Sequence, residues 1–393
     1  HDALPIWITF MIYLSGLNAV STLGTTQTQV LATLSHQGPS KLVTESGFLP
    51  DNAVATLGHV PLPNVKGELR NLTLIKRCLD NMAQVLETVK KEVSPDRIGI
   101  VIGTSTSALT DVELEGQITE TGTMKFDPRV YEIGIISEYV RKLIGGRGPS
   151  YTVATACSSS ARAILSARNL ILSGLCDAVI AGGTDSLSQV TVSGFHALGA
   201  LDPKPARPFA SDRAGINIGE GAGLCVVANR PLAPQAIKLL GGGASTDAYH
   251  VSAPDPTASG ALLAVQAALK DAGLEPKDIG YINMHGTGTN LNDAMEGTLV
   301  REIFGNAVPV SSLKHLTGHT LGAAGIVEVA ACGLMLASHL PLPFHPYHDK
   351  AIYADEFGDL DLVVTPNRPL VKDIIMTNNF AFGGNNTSLI LGC

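Results

Sequence analysis

A duplication constrains this chain more than any other feature of its sequence. A helical stripe of apolar residues, Leu72, Ile75, Leu79, Met82, Leu86 and Val89, leads into Pro95-Asp96-Arg97-Ile98-Gly99. An apolar run follows and ends at Gly103-Thr104-Ser105-Thr106. The same order returns at an offset of 181 residues, Pro95 against Pro276. There a helical stretch over Ala261 to Ala272 precedes Pro276-Lys277-Asp278-Ile279-Gly280 and a strand ending at Gly286-Thr287-Gly288-Thr289. Two more matches keep the order. Cys157 and His319 each open an Ala/Leu-rich helix, and the run from Gly219 to Val227 resembles the run from Phe382 to Ile390. The pattern predicts an α/β protein of two pseudo-symmetric halves, residues 1–232 and 233–393, with helices packed between and outside two sheets. Chance likeness of two αβ units is the alternative.

Local patterns add detail. Val/Ile-rich runs such as Ala178 to Ala181 and Leu224 to Val227 predict strands buried on both faces. Gly241-Gly242-Gly243 predicts a turn. The apolar start, Ala3 to Leu17, has no basic region before it and stops short of the ~20 residues that a membrane-spanning helix needs. It predicts a buried first strand running into Gly16-Leu17-Asn18-Ala19-Val20, preceded by an extension before Ile12. Looser patterning from Leu109 to Tyr151 predicts a cap over a site or an oligomer contact.

Composition excludes several function classes. Hydrophobic residues make up 45% of 393 and charged residues 16%, so the chain can bury a large core. A net charge of -8 with no Lys/Arg run argues against nucleic-acid binding. The six cysteines form no CxxC pair; Cys78, Cys176, Cys225 and Cys332 sit in apolar stretches and read as core residues of a cytoplasmic protein. No HExxH, P-loop or strand-linked GxGxxG occurs, so the sequence predicts no metal centre and no bound nucleotide.

Chemistry concentrates in three segments. Cys157 lies in Thr155-Ala156-Cys157-Ser158-Ser159-Ser160, at a strand-to-helix turn where the helix N-terminus favours a thiolate and backbone N–H groups can hold an oxyanion. His285 ends a strand and enters Gly286-Thr287-Gly288-Thr289, whose glycines admit a ligand and whose hydroxyls suit an amide-containing arm. His319 closes Lys314-His315-Leu316-Thr317-Gly318-His319. The repeat brings the two helix starts together, so Cys157 and His319 are expected to share one pocket. Each residue taken alone also has a bland reading: a buried core cysteine, a turn-bonded histidine, an exposed Lys314. Asp293 and Glu296 either orient neighbouring groups or cap the next helix, and His196, His250, His315, His339, His345 and His348 carry no assigned role.

With these residues in hand, the chain resembles the β-ketoacyl-acyl-carrier-protein synthases, condensing enzymes of the thiolase fold with an αβαβα layering. The likeness runs from Ser15-Gly16-Leu17 to Phe380-Ala381-Phe382-Gly383-Gly384. It implies decarboxylative Claisen condensation: Cys157 accepts an acyl group from a phosphopantetheine-bearing carrier protein, and His285 and His319 bind the malonyl thioester and stabilise its enolate. The backbone N–H groups of Cys157 and Phe382 would form the oxyanion hole, with Phe382 and Phe380 at the gate. Lys314 and Glu328 would support the histidines, Thr287 and Thr289 would bind the pantetheine arm, and Thr106 would lie near the acyl pocket. Asn283, Glu328 and Asn378 match positions around a monovalent cation in some relatives. No cofactor is permanently bound.

The expected partners are an acyl carrier protein and either a second copy or a chain-length-factor-like homologue, with neither nucleic acid nor membrane involved. Lys66, Arg70, Lys76, Arg77, Arg207 and Arg213 are the candidate carrier contacts. Ala381 and Asn385 depart from the family's usual gate sequence, and the Ala-Cys-Ser-Ser-Ser run is closer to polyketide-type synthases, so a polyene or aryl-polyene assembly line stands beside fatty-acid synthesis. Two other readings remain: a noncatalytic, partner-stabilising homologue, and a cysteine-dependent thioester acyltransferase or hydrolase.

Overall fold

The computed structural model describes residues 11–36, 40–65, 68–109, 132–346 and 355–393. The extension before Ile12 therefore lies almost wholly outside the described residues, as do most of the expected cap, Lys66 and His348. Among the described residues there are thirteen strands: β1 Ile12–Val20, β2 Val43–Glu45, β3 Ala55–Gly58, β4 Ile98–Gly103, β5 Ser150–Val153, β6 Ala178–Asp185, β7 Ile218–Gly219, β8 Gly221–Ala228, β9 Ile237–Thr246, β10 Tyr281–Asn283, β11 Val310–Ser311, β12 Ile374–Ala381 and β13 Asn385–Gly392. From Ile12 on, the apolar start is the buried strand that its sequence predicts; its part from Ala3 to Phe10 lies outside the described residues.

Ten strands run in the order β5-β4-β6-β8-β1, then β9-β13-β12-β10-β11. Directions repeat as well as order. In the first half β4 is parallel to β5 and β6, while β8 is antiparallel to β6 and β1. In the second, β10 is parallel to β11 and β12, while β13 is antiparallel to β12 and β9. The halves meet where Ile12–Leu14 pairs antiparallel with Ile237–Leu239. This short ladder joins what the sequence predicts as two sheets. The remaining strands, β2, β3 and β7, form a small separate sheet.

Side-chain alternation along the strands sorts the core into layers. Val101, Val179, Ala181 and Val227 of the first half share one apolar cluster with Ile375, Leu389 and Leu391 of the second, and two helices, Ser159–Leu172 and Ala324–Ser338, lie within it. The opposite faces each have their own cover. Ile100, Ile102, Ile180 and Val226 pack on helices Arg70–Asn81, Ala83–Glu92 and Ile135–Ile144. Ile282, Met284, Met376 and Ile390 pack on helices Ser259–Ala272 and Asn290–Phe304. Helix, sheet, helix, sheet, helix is the resulting order. The Leu72–Val89 stripe is two helices rather than one, broken at Met82 (φ -107°, ψ 16°).

Helix Ala324–Ser338 is apolar on all sides because it is a central layer; its residues from Ala324 to Leu336 are all buried. Its length and composition would suit a membrane, yet 89% of its apolar window is covered by the protein. The predicted turn at Gly241-Gly242-Gly243 is wrong: these glycines lie inside β9. A Cβ on Gly241 or Gly243 would fall 2.6 Å from Ala268 O or 2.0 Å from Ala264 O, so the glycines let helix Ser259–Ala272 lie directly on the strand.

Small residues also bring the central helices together. A Cβ on Gly325 would lie 2.7 Å from Ala161 N and 2.8 Å from Ala161 Cβ. Gly325→Val is expected to cost about 1–3 kcal/mol through overpacking, read as a lower denaturant midpoint, while the same change at half-buried Gly134, where an added Cβ would meet nothing within 4 Å, leaves the midpoint unaltered.

Candidate active site

Cys157 sits two residues before helix Ser159–Leu172, on a turn that sequence and hydrogen bonds both hold. Ala156 adopts φ 48°, a sparsely populated backbone region for a residue with a Cβ. The neighbouring serines are fasteners. Ser158 Oγ donates to Thr155 O (2.8 Å), and Ser159 Oγ donates to Ala156 O (2.6 Å) while accepting Thr155 N–H (2.9 Å). Ser160 Oγ accepts the N–H of Ile326 (2.9 Å), across the boundary between halves.

His319 reaches the cysteine from the other half. Its N–H donates to Asn217 O (2.7 Å), and its carbonyl accepts Gly219 N–H (3.0 Å), so backbone from the first half fixes the imidazole. His319 Nε2 lies 2.9 Å from Cys157 Sγ. His285 follows β10, and its ring meets that of His319 edge-on at 5.2 Å between centroids. The potential donor atoms of Cys157, His285 and His319 all lie within 4.8 Å of one another. The sulfur and both imidazoles share one pocket, as the repeat predicts.

Buried carboxylates hold the loop after His285. Glu296 accepts the N–H of His285 (2.7 Å) and of Gly286 (2.5 Å), and Asp293 accepts those of Gly288 (3.2 Å) and Phe209 (2.8 Å). They orient the loop, which settles the choice that the sequence leaves open. Burial pushes Glu296 up to about 8 and Asp293 to about 6, against the donors that favour the anions.

Lys314 is fully enclosed rather than exposed. Its Nζ donates to Glu328, to His285 O (2.6 Å) and to His285 Nδ1 (3.2 Å). An ammonium has only donors, so His285 Nδ1 is the acceptor and Nε2 carries the ring proton. Burial first, then the Lys314 charge, holds both His285 and His319 well below the ordinary histidine value. Both rings are therefore neutral at pH 7.

The helix start does not make Cys157 a resting thiolate, as its sequence setting predicts. Burial pushes the thiol up to about 11, outweighing N–H donation from Phe382 and the Lys314 charge. A neutral thiol facing a neutral imidazole is the resting pair. The N–H groups of Phe382 and Cys157 itself are directed at the sulfur, where an oxyanion of a Cys157 adduct would form.

A cavity of about 320 Å³ opens over this pair, lined by Cys157, His285, His319, Phe380 and Phe382, with Thr287 and Thr289 also on its wall. The two threonine hydroxyls lie 2.9 Å apart. Phe382 stacks against Phe195 at 5.4 Å. Ala381 is extended (φ -111°, ψ 154°), so an alanine at this gate position carries no backbone strain; the positive φ values fall on Gly383 and Gly384.

Some expected residues are elsewhere. Thr106 does not line the cavity; its hydroxyl donates to Asp185 (2.7 Å). Alternation along β12 puts Asn378 on the face of Met376 and Phe380, whereas Asn379 faces Glu328 and donates to it (2.8 Å). The Asn283 and Asn379 side chains both hydrogen-bond Glu328, and the amide oxygens of Asn283, Asn378 and Asn379 are buried without a hydrogen-bond partner. That oxygen set fits a hard monovalent cation. Arg70 is no surface contact; it is buried against Glu220. Arg213 is buried beside Asp293 and Glu356. Arg207 pairs with Asp212, while Lys76 is exposed.

Sequence reasoning missed the brace beneath the loop. Ser312 Oγ donates to Gly286 O (2.8 Å), His345 Nε2 accepts Ser312 N–H (3.1 Å), and His315 Nδ1 lies 2.8 Å from Ser312 O. His315 is four residues before His319, but no spacing rule ties it to Ser312 or His345.

Two outcomes follow from these charges. Lys314→Met leaves Glu328 buried without its cation and is expected to cost about 3–5 kcal/mol in urea unfolding, most of it recovered in Lys314→Met/Glu328→Gln. His285, His319 and His315 (about 4) bind protons more weakly folded than unfolded. The unfolded chain thus takes up more protons below about pH 6.5, and stability falls as pH drops from there. Replacing His315 with Gln should flatten that fall in pH-dependent urea titrations.

Comparison with known proteins follows the same geometry. Residues 74–233 match the β-ketoacyl synthase N-terminal domain and residues 237–347 its C-terminal domain. The 3-oxoacyl-acyl-carrier-protein synthase 2 of Synechocystis sp. is 35% identical over 320 residues, 77% of this chain and 76% of that protein. Its counterpart in Staphylococcus aureus is 33% identical over 317 residues, 76% of each. A solved ketosynthase (ApeO), in complex with its chain length factor (ApeC) from Xenorhabdus doucetiae, superposes with TM-score 0.89 at 40% identity, covering 97% of this chain and 98% of that one. The ishigamide ketosynthase/chain length factor gives 0.85 at 26% identity, covering 97% and 98%. With a thiol and two imidazoles converging in the matched domains, the chain is a member of the β-ketoacyl synthase family.

Proposed function

We propose that this chain is the catalytic subunit of an elongating β-ketoacyl synthase, acting on carrier-bound acyl and malonyl thioesters. The observation that carries the reading is the approach of His319 Nε2 to Cys157 Sγ at 2.9 Å, with His285 beside them in one cavity. Members of the family elongate fatty-acid or polyketide chains by condensation.

The groups divide the work as follows. Cys157 Sγ attacks the acyl thioester carbonyl; its proton passes through His319 Nε2 to the departing carrier thiolate, so one C–S bond forms as another breaks. The oxyanion between these events takes the N–H groups of Cys157 and Phe382. Malonyl thioester then loses carbon dioxide, and the electron pair of the broken C–C bond becomes an enolate whose oxygen accepts from His285 Nε2–H and from His319 once that ring has moved its proton from Nδ1 to Nε2. The enolate carbon attacks the Cys157 thioester and the sulfur leaves. Neutral imidazoles suit this step, since they donate hydrogen bonds without giving up a proton to the carbanion. Lys314 fixes the His285 tautomer, and Glu328 holds the Lys314 ammonium in place.

Thr287 and Thr289 would bind the arm that delivers substrate, and Phe382 with Phe195 would gate the cavity. Asn283, Glu328 and Asn379 would hold a structural monovalent cation; no other cofactor enters the reading. We place the protein in the cytoplasm with a carrier protein, Lys76 being an exposed contact candidate. Strand β5 is paired on its β4 side only and its residues are half-buried. The similarity to ApeO supports a chain-length-factor-like partner at that edge, in a polyketide- or polyene-type pathway.

Cys157→Ala is expected to abolish the acyl-enzyme seen by mass spectrometry, and condensation with it, while malonyl thioester still releases carbon dioxide. That release should stay level as pH falls through 6.5, because the imidazoles protonate only well below it. His285→Ala should lower it by about 10²–10³. Condensation by the cysteine variant would remove the nucleophile. Acyl transfer by the wild type without any carbon dioxide release would favour the hydrolase or acyltransferase reading.

A further inference from the structure

We infer that Asp185 is a positioning residue for the condensation: it ties the turn after β4 to the turn after His319, and so sets how the second half's imidazole meets Cys157. Asp185 ends β6 and is fully buried. Its carboxylate gathers donors from two separate pieces of chain. Oδ1 accepts the hydroxyls of Thr104 (2.6 Å) and Thr106 (2.7 Å) and the N–H of Thr106 (2.9 Å). Oδ2 accepts the N–H of Ser105 (2.9 Å) and, from the other half, the N–H of Gly322 (2.6 Å).

Among the described residues, five donors and no cation surround this group, an arrangement that suits an anion held by oriented dipoles. Gly322 fits the same purpose. A Cβ there would lie 2.6 Å from Asp185 Oδ2 and 2.6 Å from Ser105 N, so no larger residue lets the His319 turn come this close. The duplication sharpens the contrast. Strand β6 corresponds to β12, whose end carries Phe382, and the Thr104–Thr106 turn corresponds to the loop after His285. One copy of this corner is open over the cavity. The other is stapled shut by Asp185 and becomes the fixed side of the site.

The clamp also acts electrostatically. The charged or titratable groups that bear on Cys157 are Lys314, His285 and His319 from the second half and Asp185 from its own. Lys314 lowers the thiol value and Asp185 raises it.

This assignment uses the proposed condensation only as one readout. In Asp185→Asn an amide replaces one acceptor oxygen and confronts donors. Condensation kcat is expected to fall about 10²-fold with little change in KM. Alkylation of Cys157 by iodoacetamide, followed on its peptide by mass spectrometry, should shift its pH midpoint down by about one pH unit. Thr104→Val/Thr106→Val keeps the carboxylate but removes two donors, so its midpoint should move up. Opposite shifts are what general loosening of the site would not produce. A folded Asp185→Asn protein with unchanged midpoint and kcat overturns the assignment, as do two variants that shift the same way. If Asp185→Asn does not fold, absence of an upward shift in the double variant overturns it alone. A wild type that does not condense would sink the proposed function, while the alkylation midpoints would still decide the role of Asp185.

Discussion

Close contact between the starts of two buried helices holds the reactive groups together. Gly325 lies against Ala161 where no side chain would fit, and Ile326 N–H donates to Ser160 Oγ. Cys157 stands just before one helix and His319 just before the other, so their 2.9 Å separation follows from backbone packing rather than from flexible side chains. Tight packing of this kind transmits small volume changes. A methyl group at position 325 would push apart the two atoms on which the chemistry rests.

Around that contact the protein buries ionisable groups on a scale that stability alone would not favour. Lys314 and Glu328 form an enclosed pair, Asp185 is held by five donors, and Asp293 and Glu296 sit beneath the loop after His285. Pairs of this kind contribute little net stability, because desolvation offsets attraction. Their effect here is on protonation. Burial, joined by the Lys314 charge, keeps both imidazoles neutral, Lys314 fixes one tautomer, and the carboxylates orient backbone N–H groups that would otherwise be free to turn.

The duplicated order, the layering and the cysteine and histidine positions were legible because they are periodic or local. Pro95 and Pro276 mark equivalent turns, and side chains next to helix starts carry their setting in neighbouring residues. What escaped was anything decided by a partner far along the chain. Asn378 and Asn379 are adjacent, and only the face of β12 decides which meets Glu328. Arg70 and Arg213 read as surface charges until Glu220 and Glu356 are seen beside them. The three glycines of β9 read as a turn because what requires them lies elsewhere in the sequence: helix Ser259–Ala272 for Gly241 and Gly243, Leu165 on the opposite face for Gly242. Asp185 drew no notice at all: an acid at the end of an apolar strand has no spacing signature.

Occupancy of His319 links the two half-reactions. While Cys157 is a free thiol, Nε2 of His319 is engaged by sulfur at 2.9 Å. Thioester formation removes the thiol proton and with it that engagement, freeing the ring to take its Nε2–H tautomer, which can donate to an enolate oxygen in the cavity. In the proposed reaction, acylation therefore completes the site that stabilises malonyl decarboxylation, so carbon dioxide loss is favoured once an electrophile is in place. Burial serves this order by keeping the thiol protonated and bound to the imidazole in the resting enzyme. An ionised resting sulfur would instead place a negative charge where the enolate must form, and the second step would have to overcome it.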